Sequence, residues 1–198
     1  MVTNNQPETA MRTILFTFPV LFLFLCTLLA NLPAYSGSLY DFTMQTIDGD
    51  TVRLSRYRSE VLLIVNVASQ CGNTPQYKDL EQLFRQYRQE GFAILAFPAN
   101  NFNGQEPGTN SEIKDFCERN YGVTFDLFSK ISVLGKDQHP IYTYLTSENP
   151  EFTGDVSWNF EKFLIGRDGK IIGRFKPAMK PFSEELTTAL KRALKKKR

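Results

Sequence analysis

Residues 61–98 restrict what this chain can fold into more than any other stretch. VLLIVNVA (61–68) is a continuous apolar run rich in β-branched residues, the pattern of a strand buried on both faces. QYKDLEQLFRQYRQE (76–90) then returns apolar side chains at Tyr77, Leu80, Leu83, Phe84 and Tyr87. That 3.6-residue period makes a helix, and Gly91 ends it. FAILAFP (92–98) reads as a second buried strand. Strand, helix and strand with short connections form a βαβ unit, which requires parallel strands and a right-handed crossover.

The flanking segments extend this unit. Asp48-Gly49-Asp50 between apolar stretches predicts an N-terminal β-hairpin. GTNSEIKDFCERNYG (108–122) reads as a helix capped by Asn110 or Ser111, with Ile113, Phe116 and Tyr121 facing inward. HPIYTYLTSE gives a short helix begun by Pro140. FEKFLIGRDGKIIGRFK gives two strands turning at Arg167-Asp168-Gly169-Lys170. A last helix has Pro181 near its first turn and Ser183 as N-cap. A βαβ followed by a ββα unit predicts an α/β, thioredoxin-like fold, a central mixed sheet flanked by helices.

The N-terminus stands apart. ILFTFPVLFLFLCTLLA (14–30) carries no charge, follows Arg12, and precedes Ala34-Tyr35-Ser36, a small-x-small cleavage pattern. Residues 1–36 therefore read as a signal peptide for export to a periplasm, the secretory lumen or the medium, or as an uncleaved membrane anchor. The run of ~17 apolar residues is near the lower limit for spanning a bilayer and contains Pro19. Residues 37–198 form one domain. A net charge of +2 gives no case for nucleic acid. KRALKKKR at the C-terminus reads as a solvated helix end or as a contact with anionic lipid.

The domain keeps two cysteines, Cys71 and Cys117, too few for a disulfide scaffold. Cys71 follows a buried strand and precedes a helix, where reactive groups collect in open α/β sheets. A cysteine can serve as a small hydrophobe. Here Ser69, Gln70, Gly72, Asn73 and Thr74 surround it, predicting an exposed segment and a reactive thiol. Thr74 occupies the place of the second cysteine of a C-x-x-C pair, which argues against a disulfide reductase or isomerase. An ordinary thiol has a pKa of about 8.5, so becoming mostly thiolate near neutral pH takes about 2.7 kcal/mol. A helix terminus typically supplies ~0.3–1 kcal/mol, so other donors are needed. His139, the single histidine, reads as a helix-start residue, which removes the main support for Cys-His catalysis. One histidine and two separated cysteines make no zinc site. Neutral donors remain: Gln105 in FPANNFNGQEPG, and Trp158 with Asn159 in VSWNFEKFLI. They read equally as a loop-shaping glutamine and a core tryptophan.

With NVASQCGNT around Cys71, FPANNFNGQEPG around Gln105 and WNFEKFLI around Trp158 and Asn159, the chain resembles the glutathione peroxidases from about Tyr40 to Lys176. The resemblance implies a catalytic tetrad of Cys71, Gln105, Trp158 and Asn159. It implies a thiol peroxidase that reduces hydrogen peroxide and organic or lipid hydroperoxides through a Cys71 sulfenic acid, with no metal or organic cofactor. Glutathione or thioredoxin would recycle it. A peroxide-sensing relay that passes oxidation to a partner would use the same Cys71.

Thioredoxin-dependent relatives carry a resolving cysteine one residue beyond the position of Cys117, and one helical step turns a side chain by ~100°. Cys117 is thus a resolving candidate or a packed, idle thiol. The short segment from Leu145 to Trp158 implies the monomeric kind, with a cleft open to bulky lipid hydroperoxides. Lys162, Arg174, Lys176 and Lys180 would either steer anionic groups or be ordinary surface charges.

Overall fold

A hairpin leads the chain into the fold: β1 (Thr43–Gln45) pairs antiparallel with β2 (Thr51–Arg53). Gly49 in its turn holds φ 88°, a value that an L side chain resists. The computed structural model describes residues 1–3 and 37–196. The signal peptide or anchor expected over residues 1–36 lies, apart from residues 1–3, outside them. Among the described residues no helix is long and apolar enough to cross a membrane.

The βαβ unit forms as its periodicity requires. β3 (Val61–Val67) and β4 (Phe92–Pro98) run parallel, Val61 opposite Phe92 and Val67 opposite Pro98. Between them lies α1 (Gln76–Tyr87), extended by a 3-10 turn over Arg88–Glu90 that closes on Gly91 at φ 81°. α2 (Asn110–Tyr121) follows. Its cap is Thr109 rather than Asn110 or Ser111: the Thr109 hydroxyl accepts from the Glu112 N–H, and the Glu112 carboxylate accepts from the Thr109 N–H. This reciprocal pair satisfies two donors that a single cap leaves open.

β5 (Asp126–Leu127), too short to show a period in sequence, pairs parallel with β4. α3 (Pro140–Ser147) is capped by His139, as its helix-start reading anticipated. β6 (Lys162–Ile165) pairs antiparallel with β3, and β7 (Ile171–Phe175) pairs antiparallel with β6. α4 (Glu184–Lys195) starts after Ser183, so Pro181 lies in the preceding turn rather than in the helix.

The sheet order is β5-β4-β3-β6-β7. Alternation along β3 sends Leu63, Val65 and Val67 to one face, against Leu80 and Leu83 of α1, Ile113 of α2 and Leu186 of α4. Leu62 and Ile64 point to the other face, against Ile141, Tyr142 and Leu145 of α3 and Met44 of the hairpin. Both faces are covered, which is why β3 and β4 read as unbroken apolar runs. The mixed sheet, flanking helices and hairpin match the fold expected from sequence.

Candidate active site

β3 ends at Val67, and the next seven residues place the sulfur. The segment turns back rather than running into solvent. The Thr74 N–H donates to the Cys71 carbonyl at 3.0 Å, and the Gln76 N–H to the Asn73 carbonyl at 2.9 Å. Gln70 and Gly72 are exposed, as the polar sequence suggested, but Cys71 is only 8% exposed. The expectation of an exposed cysteine is thus corrected. The turn closes on its own backbone and tucks the sulfur against an apolar cluster that includes Val67, Ala68 and Tyr77. Sγ accepts the Asn73 N–H at 3.4 Å.

The loop after β4 approaches from one side. The Ala99 N–H donates to the Val67 carbonyl at 3.0 Å and the Gln70 N–H to the Gln105 carbonyl at 3.0 Å, which fixes Gln105 beside the Cys71 turn. The other side is the 158–160 turn before β6, held by a residue that sequence reasoning missed. Asn66 is fully buried in β3; its Nδ2 donates to the Trp158 carbonyl at 3.0 Å, and its own carbonyl accepts the Phe160 N–H at 2.6 Å. The signal was there, a lone amide inside VLLIVNVA. Phe160 holds φ 69°, a strained value for a non-glycine residue that the Asn66 contacts maintain.

These supports bring two residues 54 positions apart into contact: Asn159 Nδ2 donates to Gln105 Oε1 at 2.9 Å. That bond occupies the Gln105 oxygen and leaves its amide hydrogens for another acceptor. Asn73 ties the Cys71 turn to the same assembly through Nδ2 and the Asn159 carbonyl, 3.4 Å apart. The half-buried Trp158 packs against the cluster containing Cys71 and lies 5.3 Å, centroid to centroid, from Phe102. All four tetrad candidates therefore border one region.

Cys117 has a different setting. It lies in α2, one turn after Ile113, and is fully buried, whereas Phe116 and Tyr121 are half-exposed. The i, i+4 spacing from Ile113 makes Cys117 the fully buried residue, while Phe116 and Tyr121, as expected, pack against the same cluster. Burial pushes its thiol up to about 12, partly offset by the Tyr77 hydroxyl beside it. Glu106 lies near both. Its carboxyl is pushed up by burial, while donation from the Ser69 hydroxyl (3.1 Å) and the charge of Lys130 act the other way. A cleft of about 400 Å³ is lined by Ser69, Gln70, Glu106, Pro107, Ile113 and Phe116, and neither cysteine lines it. A larger groove of about 670 Å³ between β7 and α4 holds neither.

The four expected surface cations divide. Lys176 and Lys180 are exposed. Lys162 is fully buried, its Nζ donating to the carbonyls of Phe160 (2.7 Å), Met179 (2.8 Å) and Pro177 (3.4 Å), and burial pushes its ammonium down to about 7. Arg174 pairs with buried Glu161 at 2.6 Å and donates to the carbonyls of residues 152–155. Both are structural clamps, so neither is free to steer an anion. Among the described residues no three His, Cys, Asp or Glu side chains gather into a metal ligand set.

Residues 39–146 match the family model described as glutathione peroxidase. A glutathione peroxidase of Lactococcus lactis subsp. cremoris is 46% identical over 158 residues, 79% of this chain and 99% of the relative. The hydroperoxy fatty acid reductase gpx1 of Synechocystis sp. is 46% identical over 153 residues, 74% of this chain and 90% of the relative. The crystal structure of Trgpx in apo form superposes with a TM-score of 0.66 at 38% identity, covering 81% of this chain and 97% of that one. A thioredoxin-family thiol:disulfide interchange protein of Chlorobium tepidum shares the fold alone, with TM-score 0.59 and 13% identity over 81% of this chain and 98% of that one.

Proposed function

The chain belongs to the glutathione peroxidase family, and on that footing we propose that Cys71 is the residue through which it reduces hydroperoxides. The protein is a thiol peroxidase. The observation that carries the role of Cys71 is its sulfur on a backbone N–H beside the hydrogen-bonded Gln105–Asn159 pair. The Cys71 thiolate attacks the terminal peroxide oxygen. The O–O bond breaks, its electron pair leaves with the alkoxide, and a proton completes the alcohol or water. The sulfur is left as a sulfenic acid. Gln105, through its unspent amide hydrogens, and Trp158, through its indole N–H, supply neutral donors to the developing negative charge. Asn159 orients Gln105.

We further propose a cycle completed by an external thiol. One thiol condenses with the sulfenic acid to a mixed disulfide and releases water; a second attacks that disulfide and frees Cys71. Support comes from Cys117: a buried thiol pushed up to about 12 is a poor resolving nucleophile. Glutathione and thioredoxin are the two candidate reductants. Fatty-acid hydroperoxides are included among the substrates on the strength of the Synechocystis relative and the short 145–158 segment. A monomer, and export or anchoring through residues 1–36, complete the proposal.

One equivalent of cumene hydroperoxide added to the reduced protein, followed by mass spectrometry of both cysteines, tests it. The expected product is Cys71 sulfenic acid with Cys117 still a free thiol. A Cys71–Cys117 disulfide would overturn the external-thiol cycle, and an unmodified Cys71 would overturn its peroxidatic role.

A further inference from the structure

Thr74 stands three residues after Cys71, at the spacing where a dithiol protein carries its second sulfur. It is buried, and its hydroxyl makes two bonds, accepting the Cys71 N–H at 3.0 Å and donating to the Ala68 carbonyl at 2.8 Å. Its own N–H returns to the Cys71 carbonyl at 3.0 Å. A hydroxyl can donate once and accept at the same time, so one side chain closes the turn at the end of β3 and at the reactive residue together.

That clamp has a chemical consequence. It occupies the N–H of Cys71 itself, which would otherwise be a buried donor without a partner. With the turn held in this way, the N–H that meets Sγ is that of Asn73, whose side chain also reaches the Asn159 carbonyl. The sulfur, its backbone donor and the Gln105–Asn159 pair are thereby held in one arrangement.

We propose that Thr74 is a positioning residue for the peroxidatic cysteine, its hydroxyl replacing the second sulfur of a dithiol and setting the turn for attack on peroxide. This rests on the assignment of Cys71 given under the proposed function. A valine at this position keeps the shape and removes the hydroxyl, and a serine keeps the hydroxyl.

The test compares the full-length reduced protein with Thr74→Val and Thr74→Ser in a single turnover with cumene hydroperoxide, following loss of the Cys71 thiol by quenched alkylation and mass spectrometry. Misplacement of a reacting group commonly costs tenfold or more in rate. Thr74→Val is expected to be slower by at least about tenfold, and Thr74→Ser to stay within about threefold of the unmodified protein. Alkylation of Cys71 by iodoacetamide without peroxide, which does not need the Gln105–Asn159 pair, should change less than about threefold in both. Circular dichroism verifies folding, and Thr74→Ala replaces Thr74→Val should the latter not fold. A Thr74→Val protein at the unmodified rate, alkylation slowed in step with peroxide reaction, or Thr74→Ser as slow as Thr74→Val would each overturn the inference. If the unmodified protein itself leaves Cys71 unoxidised, the assignment of Cys71 fails instead.

Discussion

Cys71 and Cys117 belong to the same apolar cluster, and both are buried and free, yet their surroundings differ in kind. Cys71 sits in a turn at a strand end, where backbone N–H groups are not committed to a ladder, and one of them reaches Sγ. Cys117 sits inside a helix, where each N–H serves the carbonyl one turn back. Even its carbonyl is taken, by the N–H of Gly122 and of Val123 at 3.3 Å. Burial therefore removes water from Cys117, the Tyr77 hydroxyl beside it offsets this only in part, and its thiol is pushed up to about 12. Burial by itself does not make a cysteine inert or reactive. Local backbone geometry decides which way it works.

The strongest way to break this contrast is to remove each sulfur in turn. Cys71→Ser should lower hydroperoxide turnover by at least about a thousandfold, as loss of a nucleophile does. Cys117→Ala should leave turnover within about threefold while lowering stability by roughly 1–2 kcal/mol through the cavity it opens. Coupled peroxide consumption and urea unfolding measure the two. Comparable loss of turnover in both would erase the distinction.

Next come the donors around Cys71. Gln105→Ala should reduce the peroxide reaction by about a hundred- to a thousandfold, the range for one lost preorganised donor, and Asn159→Ala, which removes only the group that orients Gln105, by less, while Cys117 remains untouched by oxidant. Rapid-quench oxidation with cysteine mapping gives the answer.

A pH titration sharpens the Cys117 side. Burial pushes its thiol up to about 12, above an ordinary thiol, so between the two values the unfolded chain loses the proton first. This group then contributes stability that is fully present below about pH 9 and is lost as pH rises towards 12. In alkylation of the native protein at pH 8, label should appear on Cys71 well before Cys117. Equal labelling would mean that Cys117 is not held as a buried thiol.

The smallest expected effect is at Tyr77. Its hydroxyl is buried beside Cys117 without a well-aligned hydrogen bond. Tyr77→Phe removes a donor that gains little, so stability should stay level or rise by up to about 1 kcal/mol. Thermal unfolding would read this, and a loss above about 2 kcal/mol would show that the hydroxyl makes a real bond to the sulfur.

Much of this molecule was legible in advance. The βαβ unit and both hairpins followed from side-chain period and turn residues, because each is decided by neighbours within a few positions. Even one missed feature was local: Thr109-x-x-Glu112 is a capping box in plain sight, though Asn110 and Ser111 drew attention as caps. Motifs also named Gln105, Trp158 and Asn159. β5 escaped because two residues carry no period.

The sequence by itself determined the order of elements, the two-sided burial of β3 and β4, and the polar turn that carries Cys71. Only the tertiary structure decided that this sulfur is covered, that Asn66 holds the 158–160 turn, and that Asn159 meets Gln105. It also turned Lys162, which reads as a surface cation, into a buried clamp on three carbonyls. The reason is one of range. Hydrophobic period and turn chemistry act over a few residues, so they are written locally. A polar side chain takes its partner from whatever backbone the packed sheet brings near, and that is settled only once the whole chain has folded.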